Sequence, residues 1–178
     1  MAFIDNLKTK YLPKDFFVST SNFFQPVFDC YLANSKSEIR KAAEQEEYES
    51  YNGRMSEAWL KDLAKFDTDW HKPFIETAPW IVVIFKKVYD LDNGEKKNNY
   101  YVNESVGIAC GMLISAIHQA GLVTLTHTPS PMNFLTKLLE RPANERPYLL
   151  LPVGYAADNA EVPQLTRKSL EEICISFE

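Results

Sequence analysis

From Ser37 onward, "SEIRKAAEQEEYESYNGRMSEAWLKDLAKF" is rich in helix formers. Ile39, Ala42 and Ala43 share one helical face with Glu46, and Met55, Trp59 and Leu63 recur four residues apart. Gly53 interrupts this run, which predicts a bend or a break between two helices. "DTDWHKP" reads as a turn, with Pro73 opening a further helical turn. The pattern then changes. "APWIVVIFKKVYD" predicts a strand whose continuous apolar run suits burial on both faces. "LDNGEKKNN" is a polar turn around an Asn-Gly pair.

"NESVGIACGMLISAIHQAG" predicts a helix with Asn103 as N-cap and Gly121 just past its end. It is apolar nearly all round, so it belongs in a core or an interface. "LVTLTHT" predicts a strand ended by Pro129, and "SPMNFLTKLLER" a short helix with Ser130 as N-cap and Pro131 at its first position. "RPYLLLPVGYA" predicts a second buried strand. The tail "VPQLTRKSLEEICISFE" turns at Pro163 and ends in a short helix and an edge strand, and its apolar residues suit packing on a partner subunit. Residues 1–34 show no clear period. Strands separated by helices give a layered arrangement around one sheet.

Composition adds bounds. A chain of 178 residues suits one domain with a sizeable core. With 46% hydrophobic and 24% charged residues, it is of the ordinary globular class. The net charge of -5 argues against a nucleic-acid partner, which would need a basic stripe. Cys30, Cys110 and Cys174 are far apart and lack metal-ligand spacing, so free thiols are expected and no metal. The N-terminus does not read as a signal peptide, and the apolar runs are too short to span a bilayer. The expected location is the cytoplasm, with no membrane contact.

The motifs for an activated serine, a zinc protease, a P-loop and a dinucleotide fold are absent. Two features remain. In "EQEEYESYNGRM", Glu47 and Tyr51 stand four residues apart, hence on one helical face. An acidic run on a helix is usually a solvated face. In "LVTLTHTP", Thr124, Thr126 and Thr128 alternate with Leu125 and His127, which aligns three hydroxyls on one face. Such a row is either β-branched strand filler or a set of donors beside a ligand. Arg167 and Lys168 are either solvated or poised for a phosphate.

The segments "NYYVNESVGIACGMLISAIHQAGLVTLTHTPSPMNFLTKLLERPANERPYLLLPVGY" and "VPQLTRKSLEEI" resemble the C-terminal half of iodotyrosine deiodinases, a branch of the nitroreductase-like flavoproteins. "EEYESYNGRMSEAWLKDLAKFDTDWHKPF" resembles the active-site lid of that branch. The resemblance implies an α+β fold, a nitroreductase-like three-layer α/β/α sandwich with a central mixed sheet, N-terminally incomplete. The domain would run over residues 35–178, with a lid at 44–73 and an atypical segment at 1–34. It implies an FMN-dependent homodimer that reductively dehalogenates halotyrosines, with electrons from NAD(P)H directly or through a reductase.

Glu47, Tyr51 and Lys72 fall on the lid positions that hold the substrate zwitterion in the family. Thr128 falls on the catalytic threonine facing flavin N5, where a hydrogen bond favours one-electron steps. Thr126 and His127 fall on neighbouring FMN contacts, and Arg167 on a C-terminal FMN contact. The family's arginine-rich phosphate-gripping stretch has no counterpart, since no arginine precedes Arg40. Gln25 and Pro26 are its neighbourhood's only echo. The alternatives are therefore a flavin-free or catalytically impaired relative, as a truncated fragment or an interaction module, and a general nitroaromatic or quinone reductase. The zwitterion-binding lid argues against the latter.

Overall fold

The computed structural model describes residues 28–32, 35–163 and 165–177, so Gln25 and Pro26 lie outside the described residues. Chain order gives β1 (Phe28–Leu32), α1 (Lys36–Glu49), a π-helical turn (Ser50–Arg54), α2 (Glu57–Leu63) and α3 (Phe74–Thr77). There follow β2 (Trp80–Lys87), β3 (Tyr89–Asp92), β4 (Glu95–Asn98), α4 (Val102–Gln119) and β5 (Val123–Thr124). α5 (Asn133–Leu138), β6 (Glu145–Gly154) and α6 (Leu170–Ile173) complete the set. Among the described residues the central sheet has the order β1-β2-β6-β5, and β3 and β4 form a separate hairpin around Asn93 and Gly94. A mixed sheet is expected from the resemblance; the described ladders of the central sheet are all antiparallel.

The sheet divides the core into two layers. Alternate β2 residues Ile81, Val83 and Phe85 pack with Leu150 of β6 against Ile39, Ala43, Ile75 and Leu135, which come from α1, α3 and α5. Val82 and Ile84 pack with Leu149, Leu151 and Val153 against Val106, Cys110 and Ile117 of α4. The continuous apolar run of β2 thus has a helical layer on each side, which is why it lacks alternation. Burial in this layer pushes the Cys110 thiol up to about 11. The opposite face of α4 leaves Ile108 and Met112 exposed.

Several element ends differ from those the sequence suggests. Asn103 does not cap α4. Tyr101 occupies that position in a left-handed conformation, φ 54°, and the Asn103 side chain accepts from Lys86 Nζ at 2.9 Å. α5 begins at Asn133 with Met132 ahead of it, leaving Pro131 outside the helix. The expected strand over "LVTLTHT" is only Val123–Thr124 plus an isolated bridge between His127 and Leu150. Its partner explains the gap. His127 and Leu150 exchange both backbone bonds, so in this register Leu125 and Pro152 form the next such pair. Pro152 has no N–H to give. The Thr124 hydroxyl instead donates to the Pro152 carbonyl at 2.7 Å.

Candidate functional site

α1 and the turn before α3 bring a buried lysine to two half-buried glutamates. α1 is set by Ile39 and Ala43, which fix its inner face against the sheet. At its end the backbone loosens into the π-turn, where the Met55 N–H donates to the Ser50 carbonyl at 2.9 Å. Arg54 ties that turn back, donating to the Glu46 carbonyl at 2.7 Å and to the Glu46 and Glu49 carboxylates. Single π-turns of this kind recur at functional sites. Ser50 is buried here, and its hydroxyl reaches the Ser130 carbonyl at 3.5 Å, which joins the end of α1 to the segment after "LTHTP".

Lys72 is only 5% exposed. A buried ammonium is costly unless it is paired and hydrogen-bonded. Its Nζ donates to Thr68 Oγ1 at 3.3 Å and to the Asp69 carbonyl, and it stands 3.9 Å from Glu47 Oε2. It also lies 5.7 Å from the centre of the Tyr51 ring, within range of a cation–π contact. Glu47, Tyr51 and Lys72, from two separate elements, therefore converge. Burial raises the Glu47 carboxyl above its usual range, and Lys72 and Arg54 only partly oppose this. Burial likewise raises the Tyr51 phenol, whose hydroxyl donates to the Thr68 carbonyl at 3.4 Å.

A fourth residue, which the pattern of the sequence does not single out, holds this group together. Glu44 Oε1 accepts from the Lys72 backbone N–H at 2.7 Å and from Arg40 Nε at 2.7 Å. Arg40 also reaches Glu76 of α3 at 2.7 Å. Burial would raise the Glu44 carboxyl, but the bonds from Arg40 and the Lys72 amide outweigh it and hold the carboxyl low. The i,i+4 spacing of Arg40 and Glu44 was its only sequence signal, because its other partner is a main-chain group.

The "LTHTP" residues divide. His127 is buried, with Nε2 lacking a partner among the described residues, and its ring meets Phe74 edge-on. Thr126 and Thr128 are exposed, and neither hydroxyl makes a hydrogen bond among the described residues. Arg167 is exposed on the tail, and the structure does not bring it to the other candidates. It has no carboxylate partner among the described residues, whereas Arg40, Arg54 and Arg141 are each engaged with carboxylates.

Residues 17–155 match the model of the Nitroreductase family. The chain belongs to this family. Among its nitroreductase-family relatives, iodotyrosine deiodinase of Haliscomenobacter hydrossis is 64% identical over 143 residues, which cover 80% of this chain and 64% of that protein. The iodotyrosine deiodinase of Nematostella vectensis is 52% identical over 144 residues, covering 79% of this chain and 54% of that protein. Human iodotyrosine deiodinase 1 is 47% identical over 143 residues, covering 79% and 50%. The chain thus spans less than two thirds of the length of each of these relatives. The fold is similar to that of oxidized iodotyrosine deiodinase crystallised with FMN and 3-iodo-L-tyrosine, with TM-score 0.73 and 24% identity, covering 93% of this chain and 83% of that one. In this chain the central sheet carries helices on both faces. No helix among the described residues is long and apolar enough to cross a membrane.

Proposed function

We propose that the protein is an FMN-dependent oxidoreductase that removes halogen from halotyrosines. The observation that carries this reading is the approach of a buried ammonium, Lys72 Nζ, to a half-buried carboxylate, Glu47 Oε2, at 3.9 Å on the 44–73 segment. The other ion pairs among the described residues close to between 2.5 and 3.3 Å. The wider pair can accept a zwitterion: Glu47 would take the substrate ammonium and Lys72 its carboxylate. An arriving ammonium favours the ionised form of a carboxyl that burial has raised, so binding and ionisation of Glu47 reinforce each other. Tyr51 adds a hydroxyl and an aromatic wall. This segment would serve as the lid that closes over the aromatic ring and excludes water.

Support for a flavin site comes from the family and from uncommitted groups among the described residues. Among the described residues Arg167 has no carboxylate partner, and the Thr126 and Thr128 hydroxyls are exposed and uncommitted. Arg167 would hold the phosphate, while Thr126, His127 and Thr128 would border the ring. FMN, when bound, supplies the redox chemistry, with electrons drawn from NAD(P)H. Dehalogenation takes two electrons and a proton, replaces the carbon–halogen bond by carbon–hydrogen and releases halide. The exposed Ile108 and Met112 of α4, with Tyr100 and Tyr101 before it, suit a homodimer.

The test is to load the purified protein with FMN, remove excess by gel filtration and record the visible spectrum. The reduced protein is then given 3-iodo-L-tyrosine or ortho-iodophenol, and iodide is measured. Retained flavin and iodide release from the amino acid, far above that from the phenol, are expected. Failure to retain flavin, or equal release from both compounds, refutes the proposal.

A further inference from the structure

We infer that Glu44 is a positioning residue that sets the distance between the two charges of the zwitterion clamp. The inference rests on the reading of Glu47 and Lys72 as that clamp. Lys72 is fixed at both ends. Its backbone N–H is bound to Glu44 Oε1 at 2.7 Å, and its ammonium, which donates to Thr68 Oγ1 and the Asp69 carbonyl, stands 3.9 Å from Glu47 on the same helix as Glu44. Glu44 and Glu47 lie three residues apart, hence as neighbours on one face of α1. Glu44 therefore ties the turn that carries Lys72, Thr68 and Asp69 to α1, and with it the position of the ammonium relative to Glu47.

A plain surface ion pair would not do this. Glu44 is largely shielded, with 18% of its side chain exposed, and a single oxygen serves both Arg40 and the Lys72 amide. Arg40 is in turn oriented by Glu76, so α1, α3 and the turn carrying Lys72 share one charged network. A hydrogen bond from an amide to an ionised acceptor is among the stronger ones. Its loss frees the Lys72 backbone while leaving both clamp side chains chemically intact.

The experiment compares the FMN-loaded wild type with Glu44→Ala, Glu44→Gln and Glu47→Gln, using calorimetric binding of 3-iodo-L-tyrosine and ortho-iodophenol. Hydrogen exchange at the Lys72 amide is followed by NMR. Glu44→Ala should weaken iodotyrosine binding about tenfold and leave iodophenol binding nearly unchanged. It should also speed exchange at the Lys72 amide. Glu44→Gln retains an oxygen acceptor and should recover most of the affinity and protection. If Glu44→Ala does not melt cooperatively, Glu44→Asp replaces it, since the shorter side chain breaks the same bond. Wild-type affinity for iodotyrosine in Glu44→Ala, or in Glu44→Asp where it stands in, or equal loss of both ligands, overturns the inference. If Glu47→Gln also binds iodotyrosine as the wild type does, the clamp reading itself fails; if Glu47→Gln weakens it, only the role of Glu44 fails.

Discussion

The imidazole of His127 meets the ring of Phe74 edge-on, with centroids 5.4 Å apart and planes at 89°. It is buried, and Lys72 is the charged group that acts on it. Burial first, and the lysine second, push its pKa down from 6.5 to about 4. A base whose folded pKa is depressed stays neutral when folded, while the unfolded chain takes up a proton. Stability should therefore be full above about pH 6.5 and fall as pH drops towards about 4, by on the order of 3 kcal/mol. Urea midpoints across this window should decline for the wild type and decline less for His127→Leu. Parallel declines would show that His127 is not the titrating group.

Replacing either clamp charge should cost binding without costing flavin. Glu47→Gln and Lys72→Ala each remove a charged hydrogen bond to the zwitterion, worth on the order of 1.5–3 kcal/mol. Affinity for 3-iodo-L-tyrosine should fall about 10- to 100-fold. The flavin spectrum should be unchanged. Wild-type affinity in both variants would remove the clamp.

Thr128 and Arg167 should separate rate from cofactor affinity. The Thr128 hydroxyl is exposed and holds nothing else among the described residues, so Thr128→Ala should change stability by less than about 0.5 kcal/mol. Single-turnover iodide release should slow, with substrate affinity retained. Arg167→Ala should weaken FMN binding by on the order of 1.5–3 kcal/mol in a fluorescence titration. An unaltered rate in the first, or unaltered FMN affinity in the second, would refute the assigned role.

Gly154 has a steric reason. A Cβ added there would stand 2.7 Å from Pro79 Cδ and 3.2 Å from Cγ, and a proline ring cannot swing aside. Gly154→Ala should destabilise by about 1–3 kcal/mol, read from the urea midpoint. An unshifted midpoint would show that the approach relaxes at no cost.

What the sequence revealed follows the range of each interaction. β2 was readable because five consecutive buried residues leave no other element possible between two helical layers. The break near Gly53 was readable because the π-turn and Ser56, whose hydroxyl accepts from the Trp59 N–H, separate α1 from α2 locally. β1 was missed, since its five residues lie in a stretch without period and are defined by their pairing with β2. The interruption of "LVTLTHT" was missed because its cause, Pro152, lies on another strand. At the site, the spacing of Glu47 and Tyr51 was local, but their meeting with Lys72 depends on the intervening helix and turns. Resemblance supplied that link. Glu44 escaped because one of its partners is a backbone amide, which leaves no mark on side-chain patterns.

The π-turn at Ser50–Arg54 has an evolutionary corollary. A turn wound with one extra residue is what a single-codon insertion into an α-helix would leave behind. Removing an exposed residue such as Asn52 would tighten it to an ordinary α-turn and shift the residues that follow it within the turn. Arg54, whose charge opposes the rise of the Glu47 carboxyl, would then change its bearing on that group although every side chain survived. Ligand preference in this segment can therefore drift through changes in length as well as composition, and relatives with the same residues but one fewer in this turn should not be assumed to recognise the same molecules.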